Sequence, residues 1–350
     1  MQKLSHLQTM RAMAAILVVW AHAIDIVVAR GETAAQINFG FAENFGAVGV
    51  DIFFVISGFI VSISAGRTTP LQFTINRTLR IWPMYIIATM LMFLVSTDTG
   101  GQTTKLIYSL LFLQPPGNAA SMPIHPLGWS LMYEAAFYAV ICAAMLWKSP
   151  RPLSDRILFI LAGLIAVGSM QQFAQPLNII GNPILLEFVF GVLIGMVWQR
   201  TPLLPSWATL GMFILGSCLL IDTLATGYGN ISEAPFTLDA SSSWDRVRTW
   251  GIPSALLVAS AVFRENTKKA TIFEFIGDAS YSIYLFSLPM LHFMDAFWPE
   301  NMAEHNDVLI LLATLSTTIG GCLVYLILEK PVMRLLRGQR RASTFMPGAA

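Results

Sequence analysis

Charge is scarce in this chain. Only 12% of its 350 residues are Asp, Glu, Lys or Arg, against roughly a quarter in soluble domains. The 21 basic residues nearly balance the 20 acidic ones and fall at the ends of apolar segments rather than in one patch, so a nucleic-acid partner is excluded. Histidine is rarer still, with five in all, and no two stand at a ligand spacing, so no metal site is expected. The three cysteines, Cys142, Cys218 and Cys322, each sit inside an apolar run. They read as inert packing residues, with no disulfide pattern. Low-complexity tracts and clear internal repeats are missing as well. The first segment lacks an A-x-A-like cleavage site at the right distance, and its apolar run outlasts a signal-peptide core. It therefore reads as an uncleaved first membrane helix.

What fills the chain instead is hydrocarbon, 55% of its residues being hydrophobic. Apolar runs of about 18 residues or more recur along its length, the mark of an all-α, polytopic membrane protein. Ten spans are expected, at 8–29, 46–65, 81–97, 128–147, 157–174, 183–199, 207–224, 250–263, 279–298 and 307–328. One more apolar stretch, 106–114, is too short to cross about 30 Å of hydrocarbon as a helix. It runs into "QPPGNAASMPIHP", whose prolines stop any helix. The segment 106–127 is therefore expected to be re-entrant or to lie at the surface.

The positive-inside rule supports that choice. With the N-terminus in the cytoplasm, 17 of the 21 basic residues fall inside, leaving only Arg30, Lys105, Arg246 and Arg248 outside. Counting 106–114 as a full span would invert every later loop and destroy the bias. Both termini are then cytoplasmic. Residues 1–338 form one membrane domain, and 339–350 a disordered basic tail that meets anionic lipid.

The few polar residues inside the spans carry the functional signal. In "RAMAAILVVWAH", Arg11 and His22 bracket ten uncharged residues. Eleven steps of 100° end about 20° past three turns, so the two side chains share a helix face about 16 Å apart. An anion-binding group thus stands near the inner boundary, with a proton-transfer group beyond the midplane. Asp25 lies one turn above His22. Asp51 in "GVDIFFVISGF" and Glu134 in "GWSLMYEAAFY" fall 5 or 6 residues in from the expected outer starts of their spans. These four groups are expected in one outer-half layer, where charges costing at least about 2.5–3.5 kcal/mol each need partners or a wet cavity. Arg77 and Arg80, three residues apart at the inner end of the third span, share a face. With Arg11 they form a pocket for a polyanion such as a nucleotide phosphate. Membrane anchoring and a buried structural ion network are the plainer explanations of the same residues.

A phosphate-rich donor at the inner face with an imidazole deeper in one channel suggests group transfer into or across the membrane. Histidine acts there as general base, or as covalent carrier of an acyl group, with Asp25 or Glu134 to orient it. Elsewhere, His125 precedes the fourth span in the proline-rich outer segment and is a candidate for an acceptor entrance or a solvated loop. The expected outer loop 225–249 offers Tyr228, Trp244 and Trp250 as sugar-stacking residues. Gly191 and Gly195 make a small-xxx-small pair for helix packing. Glu187 and Asp278 receive no role.

At these residues the sequence resembles the membrane acyltransferase-3 family, over roughly residues 4–335. Six motifs carry the likeness in order: "LQTMRAMAAILVVWAHA", "GVDIFFVISGFI", "RTLRIWPMY", "HPLGWSLMYEAAFY", "GDASYSIYLF" and the "EKP" of Glu329 to Pro331. The family's arginine–histidine signature falls on Arg11 and His22, its paired basic motif on Arg77 and Arg80, and its tryptophan–serine–glutamate motif on Trp129, Ser130 and Glu134. The resemblance implies transfer of an acyl group, usually acetyl from cytoplasmic acetyl-CoA, to a hydroxyl of an exported glycan at the bacterial inner membrane. Acyl-CoA is then a donor substrate rather than a resident cofactor. A glycan or glycolipid acceptor and membrane lipid are the other partners, and a homodimer stays open. On this likeness His22, Asp25, Glu134 and Asp51 are the catalytic candidates. Arg11, Arg77 and Arg80 hold the donor, and Trp129, Ser130, His125 and Ser57 are candidates for substrate binding. One departure stands out: Ser287 occupies the place of a histidine found in many relatives, and His292, five residues on, points about 140° away. The rival class is a transporter or flippase of a polar lipid or small anion, using the same buried groups as a proton relay. A purely structural subunit of a polysaccharide-synthesis complex is a third.

Overall fold

A computed structural model describes residues 4–30, 38, 45–95, 102–113, 122–170, 177–226, 240–264, 271–298 and 306–336. Among the described residues every regular element is helical, as hydrocarbon demands of a backbone that must bond within its own segment. The helices are α1 (Ser5–Ala29), α2 (Val48–Ala65), α3 (Pro70–Val95), α4 (Gln102–Leu110), α5 (Gly128–Leu146) and α6 (Leu153–Met170). They continue with α7 (Leu186–Arg200), α8 (Ser206–Thr226), α9 (Ala240–Arg246), α10 (Ile252–Val262), α11 (Ile272–Ala296) and α12 (Asn306–Val324).

Among the described residues, seven helices are long and apolar enough to cross a membrane: α1, α2, α5, α6, α7 and α8, and α12 together with its continuation to Leu336. The chain is a multi-pass membrane protein. The remaining three of the ten expected spans correspond to α3, α10 and α11, which depart from the uniform apolar pattern for visible reasons. α3 starts eleven residues before the expected 81, at a capping box: Gln72 N donates to Thr69 Oγ1 (3.3 Å) and Thr69 N to Gln72 Oε1 (3.4 Å), with Pro70 in the first turn. α11 likewise starts early, where Thr271 Oγ1 accepts from Glu274 N at 3.2 Å. α10 is only 11 residues long, but a π-helical turn, Val247–Gly251, joins it to α9. The expected outer loop 225–249 is therefore helical at both ends, within α8 and again from Ala240. Its middle, with Tyr228, and the tail 339–350 lie outside the described residues.

α4 has nine residues, about 14 Å of helix, too short to cross. Its Ser109 carbonyl accepts from Tyr85 Oη of α3 at 3.1 Å, and Ser109 Oγ accepts from Ile124 N at 2.9 Å. The start of α5 is pinned at depth too, because Leu127 O accepts from Tyr284 Oη of α11 at 3.1 Å.

Two close helix pairs set the vertical register. α1 and α11 run parallel: a methyl group on Gly277 would lie 2.1 Å from Gln8 O, Ala15 and Val19 pack with Ala279 and Ile283, and Ala23 and Ile24 pack with Leu291. α2 runs antiparallel to α1, Gly49 lying against Ala14 and Val18, and Gly46 against Leu17 and Ala21. α7 seats on α2 through the small-xxx-small face, where a methyl on Gly191 would meet Val55 O at 2.1 Å.

Candidate active site

Three guanidinium groups face one open cavity: Arg11 from α1, and Arg77 and Arg80 from α3. Arg11 Nη2 donates to Ser280 Oγ of α11 at 2.9 Å. Arg77 Nη2 donates to Ser64 Oγ at 2.9 Å, and its plane lies over the rings of Phe73 (5.5 Å) and Tyr138 (5.7 Å). Its Nε is buried with no acceptor among the described residues. One carboxylate, Glu134 of α5, faces the three cations. It accepts from Ser57 Oγ at 3.0 Å and from the Tyr138 hydroxyl in a short bond. Asp278 and Glu329, outside the lining, are also close enough to Arg11 to interact with it electrostatically; within the lining the three guanidinium forks remain matched to phosphate and carboxylate oxygens. The outer end of the cavity is formed by Val50, Ser130 and Tyr284, with Ser130 Oγ 2.7 Å from Tyr284 Oη.

His22 stands apart from this cavity. Its Nδ1 lies 2.9 Å from Asp25 Oδ2, with side chains 26% and 48% exposed. An ionised carboxylate only accepts, so Nδ1 is the donor in this contact, and Nε2 of the neutral ring is the nitrogen that can take up a proton. That is the arrangement of a general base held by an orienting carboxylate.

The expected outer-half layer of four groups is not what the chain builds. Asp25 alone meets His22. Gly49 comes level with Ala14 to Val18, so Asp51, two residues deeper, lies about 12 Å short of His22 along the bundle. Its carboxylate is fully buried and takes a fork from Arg246, Nε to Oδ1 at 3.0 Å and Nη2 to Oδ2 at 2.8 Å. Glu134 falls deeper again, beside Ser57, because α5 begins at the buried level of Tyr284 rather than at an outer surface.

The substrate-binding candidates divide in the same way. Ser57 and Ser130 line the cavity. Trp129 is buried instead, with the Arg246 guanidinium over its ring at 5.4 Å and over the ring of buried Trp250 at 4.8 Å. His125 is neither at an entrance nor in a solvated loop. It is fully buried, with Nε2 donating to Leu285 O at 2.8 Å, close enough to His22 for the two rings to interact electrostatically. Ser287 is buried and donates to Tyr284 O at 2.8 Å, while His292 is exposed. Sequence reasoning missed Tyr138, Tyr281 and Tyr284, which read as ordinary membrane aromatics, although Tyr138 stands one turn from Glu134. It also missed Arg246, counted as an outer-loop cation.

The chain matches the acyltransferase-domain family over residues 5–327. It belongs to the membrane acyltransferase-3 family. Curated relatives of this acyltransferase include the exopolysaccharide production protein ExoZ of Rhizobium meliloti (strain 1021), 29% identical over 316 residues, covering 84% of this chain and 92% of that protein. Acyltransferase MdmB of Streptomyces mycarofaciens is 26% identical over 355 residues, covering 87% and 85%. Nodulation protein 10 of Rhizobium leguminosarum bv. viciae is 24% identical over 326 residues, covering 83% of each. No solved structure matches the acyltransferase. Membership in a family of acyl-transfer enzymes disfavours the transporter alternative.

Proposed function

We propose that this acyltransferase is an integral membrane O-acyltransferase that moves an acyl group, acetyl in the first instance, from cytoplasmic acyl-CoA to a hydroxyl of an exported glycan or glycolipid. The observation that carries this is the convergence of Arg11, Arg77 and Arg80 on one cavity, a cationic seat for the phosphates of a nucleotide thioester. Ten spans with both termini inside, as the basic residues favour, open that cavity to the cytoplasm of a bacterial inner membrane. The name of the relative from Rhizobium meliloti, an exopolysaccharide production protein, favours a glycan acceptor.

His22 is the general base. As the acceptor oxygen attacks the thioester carbonyl, its proton passes to Nε2 and the carbon–sulfur bond breaks. The imidazolium, held by Asp25, returns the proton to the departing sulfur. An ester and a free thiol result, with no net proton change. His22→Ala is expected to lower transfer by about 10²–10⁴ while the protein still inserts and still binds acyl-CoA, measured with labelled acetyl-CoA and purified protein in detergent. Full transfer by that variant would overturn the assignment, and no acetyl-CoA binding by the parent protein would overturn the donor.

A further inference from the structure

His22 is not among the residues that line the arginine cavity. Gly277 packs on Gln8 in parallel helices, so seven residues further on Tyr284 comes level with Ala15. His22 lies another seven residues out, about 10 Å beyond. An apolar layer fills that interval: Val18, Val50, Trp129, Tyr284 and Leu288 are all buried in one cluster. Val18 sits on the helix face that Arg11 and His22 share. The layer is therefore a septum across the most direct path from the donor cavity to the base.

We propose that Tyr284 is the movable gate in this septum, which must turn aside before a donor seated on the arginines reaches His22. This rests on the acyl-transfer reading for its purpose. Tyr284 is distinguished from its neighbours by what holds it. Val18 and Val50 are β-branched and stiff at χ1. Trp129 is wedged between Phe54, Tyr133 and the Arg246 guanidinium. Tyr284 already borders the cavity, and its hydroxyl is latched by Leu127 O at 3.1 Å and Ser130 Oγ at 2.7 Å. Both partners belong to the junction where the 106–127 segment turns into α5. Closed, the gate keeps water on the His22 side from the thioester. It also lets a chain with a deep polar cavity on one face remain sealed.

The test is sided thiol labelling of the full-length protein in oriented membranes, with Cys142, Cys218 and Cys322 replaced by Ser. Ser57→Cys reports on the cavity and His22→Cys on the far side, each challenged with a charged, membrane-impermeant maleimide from one face at a time. With Tyr284 intact, Ser57→Cys reacts from the Arg80 face alone and His22→Cys from the opposite face alone. Tyr284→Phe, which keeps the ring and loses the latch, raises the wrong-face rate at Ser57→Cys about fivefold, the factor one net buried hydrogen bond represents. Tyr284→Ala makes both positions reactive from both faces. Two-sided labelling of Ser57→Cys with Tyr284 intact, or unchanged sidedness in Tyr284→Phe, would overturn the gate. Labelling uses no acyl-CoA, so its failure counts against the gate alone, and the His22→Ala assay alone judges the acyl-transfer reading.

Discussion

At the scale of single residues, the cavity and the base are expected to separate cleanly in kinetics. Arg77 has a buried Nε without an acceptor and a guanidinium already fixed by two aromatic faces, so it is preorganised for an anion. Arg77→Gln removes a charge-assisted contact of roughly 1.5–3 kcal/mol. The KM for acyl-CoA should rise about 10- to 100-fold with kcat little changed, read from initial rates at several donor concentrations. Asp25→Asn acts at the other end. It keeps the size of the side chain but no longer stabilises an imidazolium, so kcat should fall while the donor KM holds. Asp51 answers to a different measurement. Its carboxylate forks with buried Arg246 while the buried Glu187 stands beside both, and breaking a buried ion pair costs up to about 3–5 kcal/mol. Asp51→Ala should lower the thermal midpoint in detergent sharply, and the double variant Asp51→Leu with Arg246→Met should recover most of it. Recovery would mark the pair as a strut rather than a catalytic group.

At the scale of elements, the functional geometry comes from where helices begin and how closely they approach. The α2–α7 contact leaves no room for a side chain at Gly191, so Gly191→Leu should destabilise by at least about 1–3 kcal/mol. Gly211 of α8 has open space around the same position, and Gly211→Ala should leave the melting temperature unchanged. The start of α5 matters most for the site. Because Tyr284 of α11 holds Leu127 O at a buried level, Gly128 opens α5 at depth, and Glu134 reaches the arginines instead of His22. The caps at Thr69 and Thr271 lie in "TPLQ" and "TIFE", outside the spans expected from 81 and 279. A span search keyed to hydropathy passes over them, since the first turns of α3 and α11 carry the polar residues.

At the scale of the whole molecule, seven helices among the described residues qualify as spans by length and composition, against the ten expected from the sequence. The imbalance of basic residues gives a direct expectation: reporter fusions at the N-terminus and after Leu336 should both report cytoplasmic. An odd number of crossings would place them on opposite faces. The division of labour follows the same axis. Arg11 lies near the N-terminal end of α1 and the His22–Asp25 pair beyond mid-helix, so the bundle itself, rather than any loop, sets the distance between the proposed donor seat and the proposed base.

The sequence by itself determined that the chain is a helical membrane protein, that Arg11 and His22 share one face of α1, and that His22 has Asp25 as a neighbour. These follow from composition and from the 3.6-residue period, which are local properties. Only the tertiary structure decided which polar groups meet. Asp51 and Arg246 are 195 positions apart, and no period links them. The depth of Glu134 depends on where α5 begins, which is fixed by contacts of Ser109 with α3 and of Leu127 with α11. The septum arises where α1, α2, α5 and α11 bring apolar side chains to one level, a fact of helix register that no single stretch of sequence contains.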